Sequence, residues 1–337
     1  MRVLFIDLSY HKKTKSADFF LSLLRTHFEV DTLYYDEMYK VAIPQSLLEQ
    51  TNLVIVWQAL LARNQFVPPG KPCVYVPMYD NLWGSIAQWK RIARSGTRII
   101  SFCEKVSAFA KRGGVADKNL LEVRYAFDPK KFQNHAGDPD VLAVWERGFF
   151  GLREVKKLFP PGFFKKIILF RRPQPGLEYV PVCDADLRDY NITILDSDFL
   201  PEEEYLALLQ EPGVYIAPRP KEGIGMSFLE QLAMGKCVIA HDDGTMNEYI
   251  RDGVNGFIRD FHQDKLDPIS KEDILRVRSN VIESAMDLYA RWINDKDRII
   301  PFLLSAEQSE PVRFGGIVDL FLRGAYLGEA MLNRLRS

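Results

Sequence analysis

Glu222-Gly223-Ile224-Gly225-Met226-Ser227-Phe228-Leu229-Glu230 is the stretch on which the fold turns. Two glutamates bracket seven residues. An apolar run, Val214-Tyr215-Ile216-Ala217-Pro218, precedes them and reads as a strand. Met226 to Met234 carries a helical pattern that stops at Gly235, and Cys237-Val238-Ile239-Ala240 reads as the next strand. This order puts a glycine turn at the start of a helix, where unpaired amides and the helix dipole favour a phosphate. Glu222 falls in the turn and Glu230 about one turn into the helix, so both can face one ligand. Carboxylates accept hydrogen bonds from hydroxyls, and charged acceptors make the stronger ones. Two carboxylates around a phosphate cradle suit a ligand with hydroxyls on both sides of a diphosphate, the composition of a nucleotide sugar.

The run continues in the same vein. Glu230-Gln231-Leu232-Ala233-Met234-Gly235-Lys236-Cys237-Val238-Ile239-Ala240 is similar to the "EAMACGxPVIA" segment of the retaining glycosyltransferases of family 4, the group 1 type. Their signature is Glu, seven residues, Glu, with glycines just after the first. Gly244 through Glu248-Tyr249-Ile250 resembles their "GGxxEIV", and Asp252-Gly253-Val254-Asn255-Gly256-Phe257-Ile258 their "DGxxGxLV". A pair of glutamates alone is a weak signal, but the whole run is specific. The first half matches more loosely. Ile99-Ile100-Ser101-Phe102-Cys103-Glu104 is similar to a strand leading into "vSe". Arg124 to Phe132 looks like "PNGVDxxxF", with Ala126 or Phe127 replacing the glycine. The resemblance implies an α/β protein of the GT-B fold: two Rossmann-like domains, a cleft between them, and a C-terminal helix crossing back.

Composition agrees with a soluble globular chain. The 337 residues suit about two domains. The hydrophobic fraction is 47% and the charged fraction 26%. No run approaches the roughly 18 apolar residues of a membrane helix. The chain begins directly on a strand, Arg2-Val3-Leu4-Phe5-Ile6, without a signal-peptide pattern, so a cytoplasmic location is expected. Cys73, Cys103, Cys183 and Cys237 are scattered and read as reduced thiols. The net charge of -1 conceals an asymmetry: residues 1–135 carry +7 and the remainder -8. Basic residues gather at Lys12-Lys13-Lys15, at Lys90-Arg91-Arg94-Arg98 and at Lys105-Lys111-Arg112. The bland reading is a solvated surface. The functional one is an anionic acceptor or peripheral contact with an anionic membrane at its inner face. Nucleic acid is disfavoured, because the aromatics form no stacking platform and the pI is near neutral.

Residues 1–135 alternate strand and helix, which predicts a parallel sheet with covering helices. Val3 to Ile6, Val30 to Tyr35, Leu53 to Trp57, Cys73 to Val76, Arg98 to Phe102 and Val123 to Tyr125 read as strands. Ligands in such sheets sit beyond the carboxyl ends of strands, which directs attention to loops 7–15, 58–64 and 78–84. Residues 136–162, rich in glycine and proline, read as the inter-domain crossing, with short helices over 141–150 and 152–158. A donor domain is expected over 163–315, its first strand at 163–170, with a helix from Lys271 to about Asn294. The amphipathic tail 316–337 is expected to pack back on the N-terminal domain, which would bind the acceptor.

Roles follow from the resemblance. The amides of Gly223, Ile224 and Gly225 would bind the donor diphosphate. Glu230 would accept from ribose hydroxyls, and Glu222 would lie near the donor sugar and the reacting centre. The family places an Arg and a Lys after the first strand of its second domain, in "GRxxxxKG". Here Leu169-Phe170-Arg171-Arg172-Pro173-Gln174-Pro175-Gly176 stands there, with Arg172 carried over for the Arg and Arg171 as the alternative. The Lys has no counterpart, so Arg219 or Lys221 would supply the second cation. In the acceptor loop, Asp80 is a candidate for binding or orienting a hydroxyl, with Asn81 beside it and His11 in the first loop; a turn-forming Asp-Asn is the bland alternative. His241 is a further candidate beside the donor. Retaining enzymes of this fold are described as front-face catalysts whose leaving phosphate helps take the acceptor proton, without a bound metal. Asp184-Ala185-Asp186 and Asp196-Ser197-Asp198 read as turns. No cofactor is expected beyond the donor itself, a UDP-, GDP- or dTDP-sugar. The acceptor would be a saccharide or lipid-linked glycan. Two rival readings stand beside this one. A dinucleotide fingerprint is mimicked at Gly223-x-Gly225, but Phe228 stands where its third glycine belongs. A catalytically impaired nucleotide-binding scaffold of the same fold is motivated by the missing Lys.

Overall fold

The structure is a computed structural model and describes residues 1–35, 43–58, 70–82, 86–132, 135–147, 149–171, 179–196 and 201–308. In chain order its elements are β1 (Arg2–Leu8), α1 (His11–Thr14), α2 (Asp18–Arg25), β2 (Glu29–Tyr35), α3 (Gln45–Gln50), β3 (Leu53–Trp57), β4 (Cys73–Val76), α4 (Ile86–Arg94), β5 (Arg98–Ser101), α5 (Glu104–Arg112) and β6 (Leu120–Glu122). They continue with β7 (Asp138–Glu146), α6 (Leu152–Leu158), β8 (Lys166–Arg171), α7 (Asp184–Asp189), β9 (Ile192–Asp196), α8 (Glu202–Gln210), β10 (Pro212–Ile216), α9 (Met226–Ala233), β11 (Cys237–His241), β12 (Phe257–Arg259) and α10 (Lys271–Leu304).

The strands form two six-stranded sheets, ordered β2-β1-β3-β4-β5-β6 and β12-β11-β10-β7-β8-β9. Every pairing is parallel. Parallel sheets are covered on both faces, so their inner strands are near-continuous apolar runs. Leu-Val-Ile-Val-Trp in β3, Pro-Gly-Val-Tyr-Ile in β10 and Cys-Val-Ile-Ala-His in β11 are buried throughout. The architecture is two Rossmann-like units with a helix that returns from the second to the first.

In each sheet the chain starts near the middle, builds outward on one side, and then crosses to the other side of its starting strand. The reversals lie between β1 and β3 in the first sheet and between β7 and β10 in the second. Open α/β sheets bind ligands in the crevice beyond such points, so the fold nominates the loops after β1, β3, β7 and β10.

Three differences from the sequence reading follow. The segment read as a crossing with a helix over 141–150 instead supplies β7, which lies inside the second sheet between β10 and β8. Val-Leu-Ala-Val-Trp is too short a run to show its period, and pairing on both edges decides for strand. The strand expected at 163–170 is consequently the second of its sheet. In the first domain, the strand expected at Val123–Tyr125 is Leu120–Glu122.

The returning element is α10. Its start carries a capping box, Ser270 accepting from the Asp273 amide and Asp273 accepting from the Ser270 amide. It runs 34 residues rather than ending near Asn294. Its far half packs on the first domain. Trp292 lies 5.1 Å from the Tyr125 ring and 5.7 Å from that of Phe19. Asp295 accepts from the Arg124 amide at 2.8 Å, and Arg98 donates to the Phe302 carbonyl at 2.6 Å. The tail expected to cross back, 316–337, lies outside the described residues.

Candidate functional site

The turn after β10 is shaped by its two glycines. Gly225 is the N-cap of α9 with φ +78°, a left-handed backbone that side chains disfavour. A Cβ there would also run into the Phe228 ring. Gly223 answers to a different constraint. A Cβ on it would stand 2.7 Å from Met78 Cβ and 3.0 Å from Asp80 Oδ1, so the loop after β4 sits directly against this turn. The glycines of this turn therefore also let the two domains meet there.

Glu222 is buried, and Thr245 Oγ1 hydrogen-bonds its carbonyl. Burial pushes its carboxyl up to about 7, with Arg219 and Arg147 pulling it down and Asp80 adding to the rise. A carboxyl at that value changes charge near neutral pH and can donate or accept. Asp80 lies across the cleft in the 3-10 turn Tyr79–Asn81, its Oδ2 accepting from Arg219 Nη1 at 3.0 Å. Its Oδ1 is buried and has no hydrogen-bond partner among the described residues. Burial raises its carboxyl, while Arg219, Arg147 and His11 oppose the rise. Glu222, Asp80 and Arg219 thus form one cluster spanning both domains.

His11 opens α1 immediately beyond β1. It is buried, and its Nδ1 is 2.5 Å from Asp7 Oδ1. Asp7 ends no helix and caps nothing; it sits near the carboxyl end of β1 with its side chain fully enclosed. Its Oδ1 also accepts from the Leu8 amide at 2.7 Å, and its Oδ2 has no partner among the described residues. Burial raises the Asp7 carboxyl, and the His11 hydrogen bond works against that rise. An ionised carboxylate only accepts, so where Asp7 is ionised the hydrogen of this bond sits on Nδ1.

Glu230 lies half-buried on α9, its Oε2 accepting from the Tyr205 hydroxyl at 2.9 Å. Lys221 is exposed, with Nζ 5.5 Å from the Tyr79 ring centroid, and reaches toward the first domain. Arg171 ends β8 and is buried. It hydrogen-bonds Glu146 on the neighbouring strand and donates to the Val180 carbonyl at 2.9 Å. Its charge is committed to that pair, which is the reading of a structural arginine. Arg172 lies outside the described residues, as does the side chain of Asn81. His241 ends β11 with Nδ1 accepting from the Phe261 amide at 3.1 Å, and it stacks on the Phe261 ring.

Arg147 is the residue that sequence reasoning missed. It follows β7 directly, at the reversal point of the second sheet and opposite the Glu222 turn. Its positive charge helps hold down the Glu222 and Asp80 carboxyls and the buried Tyr215 hydroxyl. Reading Asp138–Glu146 as the first strand would have found it, because Arg147 then occupies the post-strand position where the resemblance asks for an arginine. No lysine follows it within six residues; Arg153 is exposed and paired with Glu154 at 2.7 Å. Among the described residues, no group of three or more His, Cys, Asp or Glu is placed to hold a metal ion. Nor is any described helix long and apolar enough to cross a membrane.

Residues 189–274 match the family model of glycosyl transferases group 1. That segment runs from α7 into α10 and contains the whole Glu222–Glu230 turn. Comparison with curated protein sequences gives no significant match. Solved structures match across the chain. HepE of Anabaena, in complex with UDP and glucose, is similar at TM-score 0.57 and 14% identity, over 90% of this chain and 100% of that one. Sucrose-phosphate synthase of Thermosynechococcus elongatus is similar at TM-score 0.60 and 13% identity, over 89% and 98%. The lipopolysaccharide outer core galactosyltransferase WaaB, in its apo form, gives TM-score 0.60 at 12% identity, over 90% and 99%. At these identities the structural likeness establishes the GT-B fold. Within that fold, residues 189–274 are the part that resembles glycosyl transferases group 1.

Proposed function

We propose that the protein is a retaining, metal-independent glycosyltransferase of the group 1, family 4 type, which moves a sugar from a nucleoside-diphosphate sugar to a saccharide or lipid-linked acceptor in glycan biosynthesis. The observation that carries this reading is the meeting of the Glu222–Gly225 turn with Asp80 and Arg219 across the cleft, at the reversal point of the second sheet. The UDP and UDP-glucose complexes of the similar Anabaena protein add support for such a donor.

Transfer develops positive charge on the anomeric carbon and negative charge on the departing diphosphate. Preorganised donors aimed at that charge lower the barrier. The amides of Gly223, Ile224 and Gly225 face it from the start of α9, with Arg147 and Arg219 as the cations. Arg147 takes the part first given to Arg172. Glu222 binds hydroxyls of the donor sugar and Glu230 those of the ribose. On the acceptor side, His11 and Asp80 orient the acceptor through its neighbouring hydroxyls, while the attacking hydroxyl points its own hydrogen at the departing phosphate. The acceptor oxygen bonds to the anomeric carbon as the bond to phosphate breaks. The electron pair leaves on the diphosphate, and the acceptor proton goes with it.

The basic face of the first domain fits an anionic partner. α4, which carries Lys90, Arg91, Arg94 and the exposed Ile86, packs against α5, which carries Lys111 and Arg112. Cytoplasmic action at an anionic membrane surface is the corresponding reading, and failure to co-sediment with anionic vesicles at low salt contradicts it.

The test of the function is thermal unfolding against UDP, GDP, dTDP, ADP and CDP. A ligand at about 100 times its dissociation constant stabilises by roughly 2.7 kcal/mol. One diphosphate is expected to raise the melting temperature, and Glu230→Ala to abolish the rise. Silence of all five sinks the donor assignment. Proton NMR of the first-formed glycoside then reads the anomeric configuration, and an inverted product refutes retention.

A further inference from the structure

Tyr205 projects from α8 and gives its hydroxyl hydrogen to Glu230 Oε2 at 2.9 Å. α8 lies before the donor turn and α9 after it, so this bond ties together two helices that flank the turn from either side. Among the described residues, Tyr125, Tyr215 and Lys236 also feel the Glu230 charge. Lys236 is fully buried and bonds the Leu209 carbonyl at the end of α8. Both helices are therefore pinned at this corner.

The hydrogen bond fixes more than the rotamer of Glu230. A phenol has one hydrogen and two lone pairs. With its hydrogen committed to the carboxylate, the Tyr205 oxygen can meet a ligand only as an acceptor. The Glu230 carboxylate is likewise acceptor-only. Two acceptor oxygens held 2.9 Å apart match two hydroxyls on adjacent carbons of one ring. A lone hydroxyl would use only one of them.

Building on the donor reading above, we infer that Tyr205 and Glu230 together form a clamp for the 2′,3′-diol of the donor's ribose, with Tyr205 as its positioning residue. The donor is accordingly a ribonucleoside-diphosphate sugar, and a 2′-deoxynucleotide such as dTDP is a poor ligand. A site built to hydrogen-bond a hydroxyl rejects the analogue that lacks it, because its own polar groups are left unpaired.

Isothermal titration calorimetry tests this with UDP, GDP, ADP and CDP, then with the 2′,3′-dideoxy form of whichever binds, dTDP, and inorganic pyrophosphate. Tyr205→Phe keeps the ring and removes only the hydroxyl. It is expected to weaken the ribonucleotide about 5- to 10-fold, the scale of one neutral hydrogen bond. It should leave the dideoxynucleotide and pyrophosphate unchanged. A structural role would instead lower all three alike, and that result overturns the clamp. So does wild-type affinity of Tyr205→Phe for the ribonucleotide, or dTDP binding as tightly as the best ribonucleotide. If wild type binds none of the nucleotides, the donor reading fails and the clamp with it. Binding by wild type with no effect of the substitution defeats the clamp alone.

Discussion

Glu222 makes the charge state of the turn before α9 depend on pH. Its folded carboxyl is held near 7, well above the ordinary carboxylate range, chiefly by burial. It therefore binds its proton more tightly folded than unfolded. The stability it contributes is complete below the ordinary carboxylate range and is lost as pH rises through about 7. Glu222→Gln, neutral at every pH, should match wild type near pH 4 and melt higher by about 1–2 °C near pH 8, the scale of roughly 1 kcal/mol in a chain this long. Melting curves in matched buffers check this, and a gap that is flat with pH removes the account. The same variant should turn over the donor slowly. Arg147→Ala is expected to lower kcat by about 100-fold, as loss of one preorganised donor does. Steady-state kinetics beside Arg171→Ala checks it. The prediction is specific: Arg171→Ala breaks a buried ion pair and lowers stability, whereas Arg147→Ala chiefly lowers turnover.

Among the elements, α10 carries the greatest structural consequence. Trp292 closes a cluster with Phe19 and Tyr125, whose rings lie 3.9 Å apart, and Phe19 reaches on to Trp57 and Phe102. Trp292→Ala should cost about 3–5 kcal/mol. Urea unfolding by circular dichroism measures it, and a loss under about 1 kcal/mol would show that the site collapses around the gap. The legibility of the chain divides along the same elements. β10, α9 and β11 were readable because an apolar strand, a glycine turn and a helical period follow one another within about thirty residues. β7 was not, because Val141–Val144 is short and lies between glycines and prolines that read as a linker. That single misreading is why the sequence reading looked for its arginine at 171–172 and passed over Arg147. Glu222, Glu230 and the glycines were legible as a local pattern. The Asp7–His11 and Asp80–Arg219 contacts were not, since no local period reports which loops two sheets bring together.

At the scale of the whole molecule, the cleft is bridged by polar contacts. Glu248 accepts from the Glu104 amide at 2.9 Å and pairs with Arg124 at 2.5 Å. Tyr79 donates to Asp243 at 3.1 Å, and Asp80 meets Arg219. These contacts favour a closed arrangement. Glu248→Ala is expected to enlarge the radius of gyration in small-angle scattering without ligand, and a bound nucleoside diphosphate to restore it. An unchanged radius would mean that packing alone holds the domains together.

The return of α10 also bears on how this chain can be cut. A fragment ending near residue 135 would hold a complete first sheet but lack the helix that packs Trp292 against Phe19 and Tyr125. Such a half should be sticky and poorly soluble, and adding residues 271–308 in trans should rescue it. The natural modules are therefore not consecutive in the gene: the first fold unit is written at both ends of the described chain, and the second is inserted between them.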